Sequence, residues 1–271
     1  MPNVALSWPQ GAGLAVGLVA ATVALGHSGP RWRRMSPVAG EAAIIAGLYA
    51  LWQLAGTLSA VGPQGAYAHG EWILRFEHGW LPSERDTQRW VLPHRWLGEF
   101  CNLYYAGVHF AALGALLLWV FLRHRRYYPR LRLTTVILTA SCLLIQLIPV
   151  APPRLLASGY GFVDLASVYG QSVYSGTGVD ELSAMPSVHV GWAMLVALIT
   201  IRVSVSRWRW LVLAHPVITV FVVTATANHY WLDGIVAIVL LAAAEGVQSG
   251  VGRVWLARGA TTRPAELLPS L

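Results

Sequence analysis

Long apolar runs alternate with short polar segments along the whole chain. Each run approaches the ~20 residues that an α-helix needs to cross a bilayer, and continuous apolarity without an amphipathic period is typical of such helices. The pattern predicts seven membrane-spanning helices, at about residues 11–28, 38–61, 100–122, 133–150, 187–203, 211–227 and 231–248. We therefore predict an all-α integral membrane protein.

The composition supports a membrane protein over a soluble domain. Hydrophobic residues make up 56% of the chain and charged residues only 11%, which is well outside ordinary soluble usage. Cys101 and Cys142 fall in apolar runs, so we expect two buried thiols and neither a disulfide framework nor a zinc site. The first run lacks a preceding positive charge, which favours a true span over a secretory signal.

The charge pattern predicts the orientation. All 19 basic residues are arginines, and 14 of them follow the first, third, fifth and seventh spans. Positively charged loops stay in the cytoplasm, so we predict an outer N-terminus and an inner C-terminus, in the plasma membrane. The net charge of the chain is +7. The arginines of the cytoplasmic loops would face the anionic lipids of the inner leaflet, and we expect no nucleic-acid partner.

The outer segment 62–99 carries Trp72, Trp80, Trp90 and Trp96 among charges and prolines. Amphipathic aromatic rings favour the headgroup zone. We predict one or two short helices lying on the outer surface, with an irregular interfacial loop as the alternative.

Two histidines and a carboxylate stand at the outer ends of apolar runs, in Met185-Pro-Ser-Val-His189 and Asn228-His-Tyr-Trp-Leu-Asp233. Such ionisable groups are costly near a membrane and usually functional. His229 and Asp233 are four residues apart, so on a helix they share a face, and the carboxylate can hold the imidazole in one tautomer. Ser187 would N-cap a helix whose free N–H groups bind anions.

A third segment, Ala151-Pro-Pro-Arg154, falls on the same predicted side. The planar guanidinium of Arg154 suits bidentate contacts to phosphate oxygens. Asp164, Asp180 and Glu181 either pair with this arginine or stay solvated. The three segments predict a phosphate pocket with a nucleophile beside it.

In this order, Pro-Pro-Arg154, Pro186-Ser187-Val-His189 and His229-x-x-x-Asp233 resemble the three motifs of the type 2 phosphatidic acid phosphatase superfamily. That superfamily includes membrane lipid phosphatases, undecaprenyl pyrophosphate phosphatases and vanadium haloperoxidases. The resemblance covers about residues 100–248 and implies a six-helix catalytic domain. We expect this domain at 37–250, an extra N-terminal membrane helix at 1–36 and a cytoplasmic tail at 251–271.

The resemblance also implies roles for the motif residues. His229 would attack phosphorus and form a phosphohistidine, and Asp233 would orient it. His189 would protonate the leaving oxygen and then activate the acceptor. Arg154 and Ser187, with the amides that follow Ser187, would bind the phosphate oxygens. Neither a metal ion nor another cofactor is expected.

The chain departs from the superfamily pattern at two usual cations. The lysine expected seven residues before the motif arginine is Leu147, and the expected Ser-Arg before the nucleophile is Val222-Val223. Fewer cations favour a phosphodiester over a dianionic monoester. The chain looks more like the inositolphosphotransferase branch, which includes inositol phosphorylceramide synthases. That likeness implies transfer of a phospho-alcohol headgroup from a membrane lipid to an alcohol or lipid acceptor.

Further residues also fit that branch. Asn102, Tyr105 and His109 share one face of the third span, as a candidate headgroup or acceptor site or as inter-helix hydrogen-bonding groups. Glu77 in the outer segment fits the branch as well.

Three other functions stay open. The same residues can hydrolyse a lipid phosphate or pyrophosphate. Two histidines and one carboxylate can form an iron-binding facial triad, although Arg154 and Ser187 would then have no role. A transporter would carry acids near the bilayer centre or paired broken helices, and the sequence shows neither.

Overall fold

The structure, a computed structural model, describes residues 6–59, 63–156, 158–170 and 182–261. Within these ranges the regular structure is helical, and the only extended pairings are two isolated β-bridges. The α-helices in chain order are α1 Trp8–Gly26, α2 Pro30–Arg33, α3 Ser36–Ser59, α4 Pro63–Glu77, α5 Glu84–Val91, α6 Arg95–Leu103, α7 His109–Arg123, α8 Tyr128–Ile145, α9 Leu165–Val168, α10 Val188–Val203, α11 Ala214–Ala225 and α12 Trp231–Thr261. The predicted all-α fold is confirmed.

Six helical stretches are long and apolar enough to cross a bilayer: Trp8–Gly26, Pro30–Leu58, Arg95–Arg123, Arg125–Ile145, Arg207–Ala225 and Trp231–Gln248. The remaining predicted span is α10, an apolar helix of 16 residues, which is about 24 Å long. Every predicted span therefore contains an apolar helix, and the protein is a multi-pass membrane protein. The fourth span ends at Ile145 and not at 150, because Pro149 disfavours a helical residue before it.

The third span is one continuous helix with an irregular turn. The π-helical segment Tyr104–Val108 joins α6 to α7. Such a turn inserts an extra residue into the helix and is frequent at functional sites. Tyr105 lies in this turn and His109 follows it directly, so the irregularity falls on the face with the predicted polar residues.

Helix α10 is the centre of the bundle and packs against α7, α8, α11 and α12. Gly191 of α10 lies against Leu138 of α8 and Ala237 of α12, and Gly234 of α12 lies against Val190. Small residues let helices approach closely in a membrane. Helices α1 and α3 pack against each other at the edge of this core, and α3 contacts the core through α8.

The arginine-rich helix ends lie together at one end of the bundle. Glu245 near the far end of α12 accepts hydrogen bonds from Thr134 (3.0 Å), Arg130 (3.2 Å) and Arg202. Arg132 pairs with Glu41 at 2.6 Å. Helices α10 and α12 begin at the opposite end, so these arginine-rich helix ends lie away from the three motifs.

The segment 62–99 lies at the motif end and contains α4, α5 and the start of α6. Its four tryptophans are each more than half exposed. Gln88 of α5 joins this segment to the rest of the fold, because its amide donates to the carbonyls of Val163 (2.8 Å) and Ala225 (3.3 Å). The predicted short helices are present, and their location on the membrane surface stays a prediction.

Candidate active site

Backbone hydrogen bonds join the three motifs, which are distant from one another in the sequence. They run from Ala184 N to Val150 O (3.0 Å), from Arg154 N to Ala227 O (3.0 Å) and from Ser187 N to Asp233 O (3.1 Å). Each motif is therefore held against another by main-chain contacts, and the predicted convergence of these segments is confirmed.

His229 is held in one tautomer by two acceptors. Its Nδ1 lies 2.7 Å from the carbonyl oxygen of Ala184 and 3.2 Å from Oδ2 of Asp233. A carbonyl oxygen can only accept, so Nδ1 carries the proton and donates it, which leaves the lone pair on Nε2. Asp233 is itself fixed, because its Oδ2 also accepts from the amide of Tyr230 at 2.9 Å. The buried carboxylate thus directs a nucleophilic nitrogen away from itself.

His189 lies on the nucleophilic side of His229. Its Nδ1 is 3.3 Å from Nε2 of His229. Tyr105 stacks on the His189 ring with centroids 4.3 Å apart, and His109 meets the ring edge-on at 4.1 Å. Two residues of the candidate headgroup or acceptor site therefore contact the predicted general acid.

Ser187 caps α10 as predicted. Its Oγ accepts from the amide of Val190 at 3.4 Å, and its side chain is fully buried. The amides of Val188 and His189 belong to the first turn of the helix and have no intrahelical carbonyl to bind. A helix start with such amides favours anions, so the cap sets an anion-binding end beside His189.

Arg154 is buried beside the third motif, with its side chain only 3% exposed. Its Nε donates to Oδ1 of Asn228 at 2.8 Å, and its Nη1 contacts Oδ2 of Asp164 at 3.4 Å. Asp164 is therefore the partner that the sequence left open, while Asp180 and Glu181 lie outside the described residues. Because Asn228 directly precedes His229, the guanidinium is held near the reactive nitrogen.

The other two candidate residues contact neighbouring backbone. Glu77 is buried and accepts from the amide of Leu232 in the first turn of α12. Asn102 donates to the carbonyl of Leu165 at 3.1 Å. In the structure both residues brace segments that surround the site.

The histidines and carboxylate are not arranged as a facial triad. Asp233 bonds Nδ1 of His229, whereas His189 faces Nε2 of the same ring, so the three side chains do not converge on one point. No group of three histidine, cysteine or acidic side chains suited to a metal ion occurs in the part of the chain that the structure describes.

A family model described as the PAP2 superfamily matches residues 71–247, which include all three motifs. The chain belongs to the PAP2 superfamily. Members of this superfamily are lipid phosphatases and phosphotransferases, so the PAP2 assignment gives the class of activity and phosphorylated lipids as the general substrates. No curated protein and no solved structure matches the chain significantly. The inositolphosphotransferase branch stays a prediction for this PAP2 protein.

Sequence reasoning missed two parts of this PAP2 site and left a third open. Asn228 stands next to the nucleophile in the motif, and that adjacency was the available signal for its contact with Arg154. The contact of the Ala184 carbonyl with His229 could not be predicted, because every residue has a backbone carbonyl and the residue type does not show which one will be used. Asp164 was one of three candidate acids, and only the fold selected it.

Proposed function

We propose that this PAP2 protein transfers a phospho-alcohol headgroup between membrane lipids through a phosphohistidine on His229. The arrangement of His229 carries the proposal. Its Nδ1 is occupied by Ala184 and Asp233, and its Nε2 faces His189. A nucleophile whose orientation is fixed by a base or carboxylate, beside a second proton-transfer group, is typical of covalent catalysis.

In the proposed first step, Nε2 of His229 attacks phosphorus, an N–P bond forms and the bond from phosphorus to the leaving oxygen breaks. His189 donates its proton to that oxygen. In the second step, neutral His189 takes the proton of an acceptor hydroxyl, whose oxygen attacks phosphorus and releases His229. Asp233 stabilises the imidazolium-like character that His229 gains when the N–P bond forms and loses when that bond breaks.

The phosphate oxygens are proposed to lie among Arg154, Ser187 and the first amides of α10. Charge accumulates on the equatorial oxygens in the transition state, and preorganised donors stabilise it most effectively away from water. Arg154 is preorganised because Asn228 and Asp164 already hold its guanidinium.

Transfer is favoured over hydrolysis by two features. Leu147 and Val223 stand where the superfamily has cations, so neither side chain offers a positive charge to a dianionic monoester. Val223 is also buried, and its carbonyl accepts hydrogen bonds from the amides of Asn228 and His229. Tyr105 and His109 cover His189 with ring faces and edges, which restricts the access of water to the proposed base. We propose that these two residues border the acceptor or headgroup, and that Asn102 and Glu77 support the surrounding segments through their contacts with Leu165 and Leu232.

We further propose that the site opens to the outer leaflet of the plasma membrane. The motif end of the bundle lies opposite the arginine-rich end, and positive loops favour the cytoplasm. The exposed tryptophans of 62–99 are suited to the headgroup zone where a lipid substrate would enter.

Product analysis tests the proposal. Purified protein is incubated with phosphatidylinositol or with phosphatidic acid, in the presence and absence of a lipid alcohol. A new phospholipid that requires the acceptor is the expected result. Free inorganic phosphate from the monoester, with no acceptor-dependent lipid, would instead support the alternative function of a lipid phosphatase using the same residues.

A further inference from the structure

Two buried glutamates lie beneath the start of α12. Glu77 ends α4 and is 2% exposed, and Glu84 begins α5 and is 3% exposed. One carboxyl oxygen of Glu77 accepts from the amide of Leu232. Its Oε2 and the Oε1 of Glu84 are both buried, and no N–H or O–H group of the described residues donates to either oxygen.

A first-turn amide of a helix has no carbonyl of its own helix to bind. Glu77 supplies that acceptor to Leu232 from a different helix, and the next residue along α12 is Asp233. A carboxyl group at a helix start is also favoured by the helix dipole. The position of the Asp233 carboxylate, and so of His229, therefore depends on a side chain from α4.

The surroundings of Glu77 favour its protonated form, which allows two acidic side chains to be buried next to each other. The pKa of Glu77 is raised to about 9, chiefly by burial and then by the hydrogen bond and the charge of Glu84, while the Leu232 amide acts in the opposite direction. Asp233 faces the pair from α12 and also disfavours ionisation. The cavity of about 350 Å³ beside the pair is bordered by the charged or titratable side chains of His78, Arg85, Asp86 and Tyr160.

We propose that Glu77 and Glu84 share one proton and act as a positioning pair, whose protonated form holds the first turn of α12 and thereby the Asp233 carboxylate against His229. The proton provides the donor that two buried carboxylates otherwise lack. Both glutamates act through Leu232 and Asp233 and do not touch the phosphate. The inference rests on the proposed function for the role of His229.

Loss of the shared proton has a defined direction. Above a pH of about 9, Glu77 carries a charge beside Glu84 and Asp233, and the repulsion displaces the first turn of α12. Because the pKa of folded Glu77 lies above its ordinary value of 4.5, its contribution to stability is full below pH 4.5 and is lost as the pH rises to about 9. Turnover should fall as the pH rises through about 9.

Two variants of Glu77 separate its hydrogen bond from its charge. Glu77→Ala removes the acceptor of the Leu232 amide and should lower kcat by up to about 100-fold, the scale of a misplacement of about 1 Å, with little change in KM. Glu77→Gln keeps an acceptor for Leu232 and a donor for Glu84 without an ionisable proton. It should restore most of the activity lost in Glu77→Ala and should not show the fall in turnover near pH 9.

Glu84→Gln is the second test, since its amide can donate to the Glu77 carboxylate, and it should also remove the alkaline fall. Glu71→Gln is the matched control on α4: Glu71 pairs only loosely with Arg75 at 3.8 Å on the exposed side, and this variant should keep the wild-type pH profile. An unchanged alkaline fall in both Glu77→Gln and Glu84→Gln, or full activity in Glu77→Ala, would overturn the proposal.

A measurement of melting temperature distinguishes this inference from the proposed function. The wild-type protein should lose thermal stability relative to Glu77→Gln as the pH is raised from 5 to 9, whether or not His229 is the nucleophile. Equal pH dependence of melting in the two proteins would overturn the positioning pair while leaving the phosphohistidine proposal intact. Full activity of a His229→Ala variant would disprove the phosphohistidine mechanism, but it would not change the expected pH dependence of melting.

Discussion

At the scale of single residues, the direction of one proton decides what His229 can do. The two acceptors of Nδ1, from Ala184 and Asp233, make Nε2 the basic nitrogen. The sequence predicted the Asp233 contact from the spacing of four residues on a helix, but in the structure His229 precedes α12, which begins at Trp231, and only Asp233 lies in the helix. The Ala184 contact depends on a chain segment 45 residues away, and only the fold brings it into reach.

Replacing His229 by alanine should abolish turnover, because the proposed N–P bond has no other nucleophile. Phosphoryl transfer from a labelled lipid substrate measures this loss, and trapping of acid-labile label on the wild-type protein checks the intermediate. His27→Ala, at the exposed end of α1 and outside the three motifs, is the control and should stay active. A fully active His229→Ala variant would disprove the proposed mechanism.

Replacing His189 by alanine should slow substrates with poor leaving groups most. General acid catalysis contributes about 10²–10⁴-fold, and a good leaving group such as nitrophenolate needs little of it. Steady-state rates for a nitrophenyl phosphodiester and for an alkyl phosphodiester provide the comparison. Equal losses for the two substrates would contradict the role of His189 as the acid.

At the scale of the helix, the docking of α4 depends on one glycine. A Cβ atom on Gly70 would lie 2.6 Å from the carbonyl oxygen of Ala151 and 2.7 Å from the hydroxyl of Tyr230. These two atoms are hydrogen-bonded to each other at 2.8 Å. Helix α4 thus packs onto a contact between the first and third motifs, and it brings Glu77 to the start of α12.

Gly70→Ala should destabilise the protein by about 1–3 kcal/mol, the usual cost of forcing extra volume into a packed site. The measurement is the melting temperature in detergent, together with activity, which should also fall. Gly65→Ala on the same helix is the matched control, since nothing lies within 4 Å of its added Cβ. Alanine there should leave stability unchanged or raise it by up to about 1 kcal/mol. Similar melting of the two variants would contradict this account of α4.

At the scale of the whole molecule, the bundle has two chemically different ends. Glu245 and Glu41 bind arginines at one end, and the motifs converge at the other. This separation agrees with the loop pattern from which the outer position of the site was predicted.

Single cysteines at the two ends test that orientation. Val168→Cys lies at the motif end, where Val168 is 60% exposed, and Val205→Cys lies at the arginine end, where Val205 is fully exposed. A membrane-impermeant maleimide should label Val168→Cys in intact cells and Val205→Cys only after permeabilisation. The native Cys101 and Cys142 are buried and should give little background. The reverse labelling pattern would place the site in the cytoplasm.

The sequence by itself determined the helical spans and the reaction class, because both depend on local information. A run of about 20 apolar residues can satisfy its backbone in a bilayer only within a few architectures, and His229 and Asp233 are only four residues apart in the sequence. The ends of the spans were predicted less accurately, because a single proline such as Pro149 can end a helix inside an apolar run.

The tertiary structure alone decided which groups hold the catalytic ones in place. The Ala184 carbonyl on His229, the Asn228 and Asp164 contacts of Arg154, and the Glu77–Leu232 bond all join residues that are distant in sequence. The physical reason is that a hydrogen bond depends on the position and direction of two atoms, while a sequence pattern gives only residue types and spacing. Apolar runs and residue spacing therefore predicted the helices and the motifs, and packing of α4, α10 and α12 decided the geometry of the site.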